Sequence, residues 1–192
     1  MAAAGSRAWE EACDVSPHRA PEQQGSAFEL LPHRRAWTAT DEARALGIDT
    51  ADVLKTLAVC TGIGYVLVVI PASCRLDLHL IRDALGDHQA RLASEEELGR
   101  DFADYQLGAL PPLGALLGCE VYMDPEVLNH DLVVFAAGIQ TESVRIRTQE
   151  LFASEQVITI PLVRQADWGT DDLIRRRRAA QQGLTGGWYP GL

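Results

Sequence analysis

Lys55 is the single cation in residues 51–71, ADVLKTLAVCTGIGYVLVVIP. Side chains alternate along a strand, so Val53, Lys55, Leu57 and Val59 share one face. An ammonium on an apolar face is costly without a partner. Lys55 therefore either meets an anion at a cleft or snorkels to solvent from a strand end. The second feature is Gly108-Ala-Leu-Pro-Pro-Leu-Gly114. Two prolines between glycines rule out helix and central strand. The glycines let another molecule come close to the backbone. This loop is either an approach site or a tight connector. Other reactive side chains carry weaker signals. Cys60 lies in a predicted strand, where a free cysteine is usually a small core residue. His33 stands alone after Pro32, and a lone histidine is more often structural or solvated than catalytic. Ser143 and His33 could meet in space, but their spacing does not require it. No GxSxG elbow is present. No His, Cys, Asp or Glu set has metal-ligand spacing.

The elements that must position these residues are short. Val53 to Cys60 and Tyr65 to Ile70 read as a hairpin around Thr61-Gly62-Ile63-Gly64, closed by Pro71. Phe28 to Leu31 reads as a strand ended by Pro32. Thr38 to Leu46 reads as a helix, with Thr38 as cap, Asp41 closing a box-like pattern and Gly47 as the stop. Asp77 caps a second helix that runs to Leu85 and stops at Gly86. Ser94-Glu95-Glu96-Glu97 is a capping box, opening a helix to about Phe102 with acids at its positive end. Further strands are expected over Cys119 to Met123, Leu132 to Ala137, Ser143 to Arg147 and Val157 to Leu162. Brief helices are expected after Asp124-Pro125 and over Thr148 to Phe152. In the strand from Ser143 to Arg147, Val144 and Ile146 alternate with Ser143, Arg145 and Arg147, which puts Ser143 on the exposed side. Strands and helices do not alternate strictly, so the expected class is α+β. The expected architecture is one compact domain whose mixed, curled, barrel-like sheet is flanked by short helices.

The chain has 192 residues, 47% of them hydrophobic, enough for one domain with a core. Residues 1–26 read as a flexible arm, 27–164 as the domain and 165–192 as a basic tail, with an exposed helix over Asp171 to Gln182 and the run Arg175 to Arg178. No apolar run approaches the ~20 residues that span a bilayer, and the first residues lack a signal core. Four cysteines without CxxC spacing suit a reduced, cytoplasmic protein. The net charge of −10 argues against a broad electrostatic grip on nucleic acid. A nucleic-acid partner must be held locally or delivered by another protein.

From about Phe28 to Val163 the order of motifs resembles YbaK-like proteins and prolyl-tRNA-synthetase-associated editing domains. The resemblance rests on TATDEARALGI, VLKTLAV, VIPASCRLDL, GALPPLG, VYMDPEVL, and AAGIQTESVRI leading into TQEL. It implies a compact mixed β-fold. It also implies a trans-acting aminoacyl-tRNA deacylase that hydrolyses the ester of a mischarged amino acid. The family's Lys falls on Lys55, where it would hold the phosphate or ribose of the acceptor end. The family's Gly/Pro loop falls on Gly108, Ala109, Leu110, Pro111 and Pro112, whose backbone would contact the ester and shape the amino-acid pocket. Gly138 would lie beside the same cleft, with Thr56 and Ser143 as further substrate contacts. The implied partners are the tRNA acceptor end and a synthetase, with no cofactor, metal or membrane. Some members carry a His shortly after the late glycine, and Ile139 to Ser143 contains none. A second reading is a non-catalytic tRNA- or synthetase-binding module with the same cleft. A third is an esterase or binder for a small nucleotide-like ligand. A Cβ added at Gly108 is expected to obstruct the site more than the fold.

Overall fold

Local chemistry sets the helix boundaries in the computed structural model, which describes residues 28–153 and 155–163. After strand β1 (Phe28–Pro32), helix α1 (Ala39–Leu46) begins where the Thr38 side chain accepts from the Asp41 N–H. The Thr38 hydroxyl also donates to the Asp41 carboxylate at 2.9 Å, so Asp41 returns the cap through a side chain. Gly47 ends the helix at φ 70°. Strands β2 (Leu54–Thr61) and β3 (Gly64–Pro71) form the expected hairpin. Helix α2 (Leu78–Leu85) is capped by Asp77 and stopped by Gly86. A two-residue strand follows, β4 (Arg91–Leu92), which the sequence does not signal. Helix α3 (Glu95–Asp101) carries the full Ser94–Glu97 capping box. Gly114 opens a four-residue helix, α4 (Gly114–Leu117), where only a loop was expected. Then come β5 (Glu120–Met123), a 3-10 turn (Pro125–Asn129), β6 (Leu132–Ala136), β7 (Glu142–Arg147), α5 (Thr148–Leu151) and β8 (Val157–Thr159). The expected arm, tail and basic helix lie outside the described residues.

Two sheets result. One is antiparallel, in the order β1-β7-β6, and the other is mixed, in the order β4-β2-β3-β5-β8. In the second, β3 runs parallel to β5 and β5 parallel to β8. The α+β class with a mixed sheet is as expected, but the barrel is not. The sheets meet at the isolated Val53–Val134 bridge, where the Val134 N–H bonds the Asp52 carbonyl at 2.9 Å. One bridge does not continue a ladder, so the strands remain two open sheets.

Alternation along the hairpin sorts the core. Leu54, Ala58, Leu67 and Val69 face inward and pack with Phe28, Phe135, Val144 and Ile146 of the other sheet. Leu110 and Leu113 of the Gly/Pro loop belong to this same cluster. On the outer face, Val59, Val66, Val68 and Ile70 pack against Ile81 of α2 and Leu162. Each such fully buried side chain contributes roughly 1.5–3 kcal/mol. Buried Asp124 fastens the end of the domain, because its carboxylate accepts from the N–H groups of Leu162, Val163 and Glu126 at 2.7, 3.0 and 2.9 Å. No helix among the described residues is long and apolar enough to cross a membrane.

Candidate functional site

Three segments converge beside the inner core: residues 33–37, 105–112 and 138–143. The His33 N–H bonds the Thr141 carbonyl at 2.9 Å, and the Ala36 N–H bonds the Gln140 carbonyl at 2.8 Å. The Gln106 N–H bonds the Gly138 carbonyl at 2.9 Å. Gln140 closes the arrangement. Its N–H donates to the Gln106 side-chain oxygen and its side-chain amide donates to the Leu107 carbonyl, both at 2.9 Å. This buried Gln ties two loops together.

Both glycines are demanded by geometry. Gly138 has φ 91°, and a Cβ there would lie 3.1 Å from the Tyr105 ring. Gly108 has φ 79°, and a Cβ there would lie 2.5 Å from the Trp37 carbonyl oxygen. That corrects the expectation for Gly108, since an added Cβ strikes the protein's own backbone and harms the fold itself. Ala109, Leu110, Pro111, Pro112 and Leu113 are buried, while Gly108 is exposed. The loop therefore plugs its side chains into the core and presents mainly backbone at its glycine end.

Ser143 is fully buried, against the exposure that strand alternation predicts. Its hydroxyl donates to the Glu42 carboxylate and meets His33 Nε2 at 2.8 Å. His33 Nδ1 lies 2.8 Å from the Arg34 carbonyl. A carbonyl only accepts, so Nδ1 carries hydrogen. Two proton arrangements then satisfy the chain. Either Glu42 is ionised and His33 carries both protons, or Glu42 is protonated and Ser143 donates to a neutral His33. The Ser143 hydroxyl thus links a buried acid to a half-buried imidazole. Burial pushes the Glu42 carboxyl up to about 7, with the Ser143 hydrogen bond acting in the opposite direction. Sequence reasoning missed Glu42, which reads as a solvated acid in a first helical turn. Its partner lies 101 positions away.

Lys55 and Thr56 follow one another on β2 and so face opposite ways. Thr56 shares its parity with Leu54 and Ala58, which pack with Leu110 and Leu113. Its hydroxyl is buried and meets no protein partner among the described residues. Lys55 is half-buried on the other face, where its ammonium donates to the Cys74 carbonyl. Burial lowers its pKa, and nearby Arg75 adds to that against the opposing effect of Cys74. The structure thus joins Gly108, Gly138 and Ser143 in one place, with Thr56 on the loop side of β2 and Lys55 on the opposite side. Cys60 is half-buried, its thiol 3.7 Å from the Glu97 carboxylate. A separate depression of about 330 Å3, lined by Ile48, Asp52, Asn129, His130, Asp131, Leu132, Val134 and Arg145, has no lining residue in the three converging segments.

A sequence profile of the aminoacyl-tRNA editing domain matches residues 33–153, which span all three segments and both Lys55 and Thr56. The chain belongs to the aminoacyl-tRNA editing domain family. Among solved structures, a candidate trans-editing enzyme for prolyl tRNA synthetase is 25% identical at a TM-score of 0.62, over 71% of this chain and 87% of that one. A hypothetical protein is 24% identical at 0.66, over 73% and 93%. A candidate signal transduction protein from Marinobacter aquaeolei is 18% identical at 0.56, over 85% of this chain and 35% of that one. The last two carry the fold alone. No curated protein matches. The editing-domain match gives the Gly108 loop and Gly138 a shared context that neither has alone.

Proposed function

We propose that this chain is a trans-acting aminoacyl-tRNA deacylase. It hydrolyses the ester linking a wrongly attached amino acid to tRNA, with neither a metal nor a side-chain nucleophile. The observation that carries the reading is the convergence of Gly108, Gly138 and the His33–Ser143 pair inside the matched editing domain. An aminoacyl ester is already activated, so positioning of water and of the ribose supplies much of the rate. Backbone N–H groups aimed at the developing oxyanion supply more. Ala109 to Pro112 form a stiff wall behind Gly108 and shape the amino-acid pocket. We assign to Lys55, on the face of β2 opposite Thr56, a phosphate or ribose of the tRNA further from the ester, while Thr56 lines the substrate side and buried Ser143 sits behind His33. Among the described residues no three His, Cys, Asp or Glu side chains are placed to hold a metal ion. By analogy with the 25%-identical trans-editing candidate, the partner is a synthetase that releases its mischarged tRNA.

A deacylation screen across mischarged tRNAs tests this. One tRNA class should be discharged, and turnover should survive exhaustive chelation with EDTA. Lys55→Ala should lower turnover about a hundredfold through lost positioning. Its melting temperature should stay near wild type, since the side chain is only half-buried. Turnover unchanged in Lys55→Ala removes the anchoring role. No turnover on any mischarged tRNA overturns the enzyme and leaves the binding-module reading.

A further inference from the structure

We propose that Trp37 and Arg35 form a stacking platform for an unpaired base at the single-stranded 3′ end of an RNA. The proposal rests on the deacylase reading for its biological setting, but it can be measured without turnover.

Trp37 is 62% exposed, the largest side chain among the exposed hydrophobics. Most of the others sit elsewhere, such as Ile63 at the hairpin tip and Leu128 in the 3-10 turn, and the one beside Gly108, Leu107, is an aliphatic with no π-face; scattered exposed aliphatics are ordinary. Trp37 differs in three ways. Its backbone is fixed from behind, since its carbonyl abuts Gly108 and neighbouring Ala36 is buried and bonded to Gln140. The ring is thus free while its base is rigid. The Arg35 guanidinium lies 5.5 Å from the ring centroid, a cation–π arrangement. Arg34 and Arg35 are both exposed, which places positive charge next to the Gly108 and Gly138 loops in a chain of net charge −10.

An aromatic face beside cations matches the chemistry of single-stranded nucleic acid. Every base offers a π-face, so stacking tolerates any sequence, while the cations track the phosphates. A base laid on Trp37 would leave its phosphate within the field of Arg35 and Arg34. The nucleotide's sugar would then lie toward Gly108, where the ester must be cut. This explains how an acidic protein holds an acceptor end with a small footprint.

The test uses the full chain and a fluorescein-labelled ACCA oligoribonucleotide with a free 3′-hydroxyl, read by fluorescence anisotropy. Trp37→Ala and Trp37→Leu should each bind about tenfold more weakly, as loss of one base–aromatic stack predicts. Trp37→Phe should stay within about threefold of wild type, because it keeps a π-face. Arg35→Ala should flatten the dependence of log affinity on log salt by about 0.7, the value for one cation on a single strand. Circular dichroism checks that each variant is folded. Wild-type affinity in Trp37→Leu, or no measurable binding by wild type, overturns the platform. If binding and mischarged-tRNA turnover are both unchanged in Trp37→Leu, the platform falls and the deacylase stands. If wild type discharges no tRNA but its oligonucleotide binding is lost in Trp37→Leu, the deacylase falls and the platform stands.

Discussion

Glu42 is 3% exposed and bonded to a serine hydroxyl, so its charge is dear to the fold. Its carboxyl is raised from 4.5 to about 7. The folded state therefore holds this proton more tightly than the unfolded chain does. The resulting stability is fully present below pH 4.5 and is lost as pH rises from 4.5 to 7. At about 1.36 kcal/mol per unit, the loss is on the order of 3 kcal/mol. Glu42→Gln keeps the shape and stays neutral. Its amide can donate to Ser143, which then donates to His33, so one of the two proton arrangements is made permanent. We expect Glu42→Gln to match wild type near pH 4.5 and to be more stable at pH 8. Urea unfolding across that range is the check, and parallel curves for the two proteins would show that Glu42 ionises freely in the native state. The sequence left a Ser143–His33 meeting open, with no sign of Glu42 beside it. Glu42 and Ser143 each have neighbours that suggest a wet surface, and only tertiary pairing of α1 with β7 hides them.

At the scale of elements, Gly108 and Gly118 offer a controlled comparison. Both have positive φ, 79° and 66°, but a Cβ at Gly118 meets nothing within 4 Å. Gly118→Ala thus carries only left-handed backbone strain, about 1 kcal/mol. Gly108→Ala adds a collision with a backbone oxygen, for a total of about 3 kcal/mol. Thermal melts should rank them in that order. Deacylation per folded molecule should fall in Gly108→Ala and hold in Gly118→Ala. Equal activity per folded molecule would make the loop a connector. The elements around this loop show what a sequence discloses. Thr38, Asp77 and Ser94 were readable as caps because a cap is made by residues within one turn. The hairpin was readable because its alternation and its turn lie side by side in the chain. By contrast, β4 is two residues long and exists through pairing with Val59 and Cys60. Helix α4 begins just past a Pro-Pro pair that no helix can run through, and its four residues carry no start signal of their own. Gly108 and Gly138 were each noticed for their type, but their meeting depends on Gln106 and Gln140, whose side chains carry no local signal.

For the whole molecule, the question is how a protein of net charge −10 meets a polyanion. The open two-sheet architecture offers no broad basic face among the elements that build the site. Under the proposed function the cations assigned to an acceptor end are Lys55 on β2 and Arg34 and Arg35 before α1. Three phosphate contacts on a single strand imply a slope of log affinity against log salt near −2. Raising salt from about 50 to 200 mM would then weaken binding about sixteenfold, where six to ten contacts on duplex DNA would weaken it about 10³–10⁵-fold. We therefore expect uncharged tRNA to bind weakly and with this shallow slope. A minihelix carrying only the acceptor arm should bind nearly as well as the full tRNA. Titrations by anisotropy at several salt concentrations measure both. A slope steeper than about −4, or a strong preference for the full tRNA, would overturn the small footprint. The Arg175 to Arg178 run would then be the first place to seek the extra cations, and truncation before it should restore the shallow slope. A shallow slope instead makes the synthetase the natural holder of the tRNA body, with this domain meeting only the end that carries the ester.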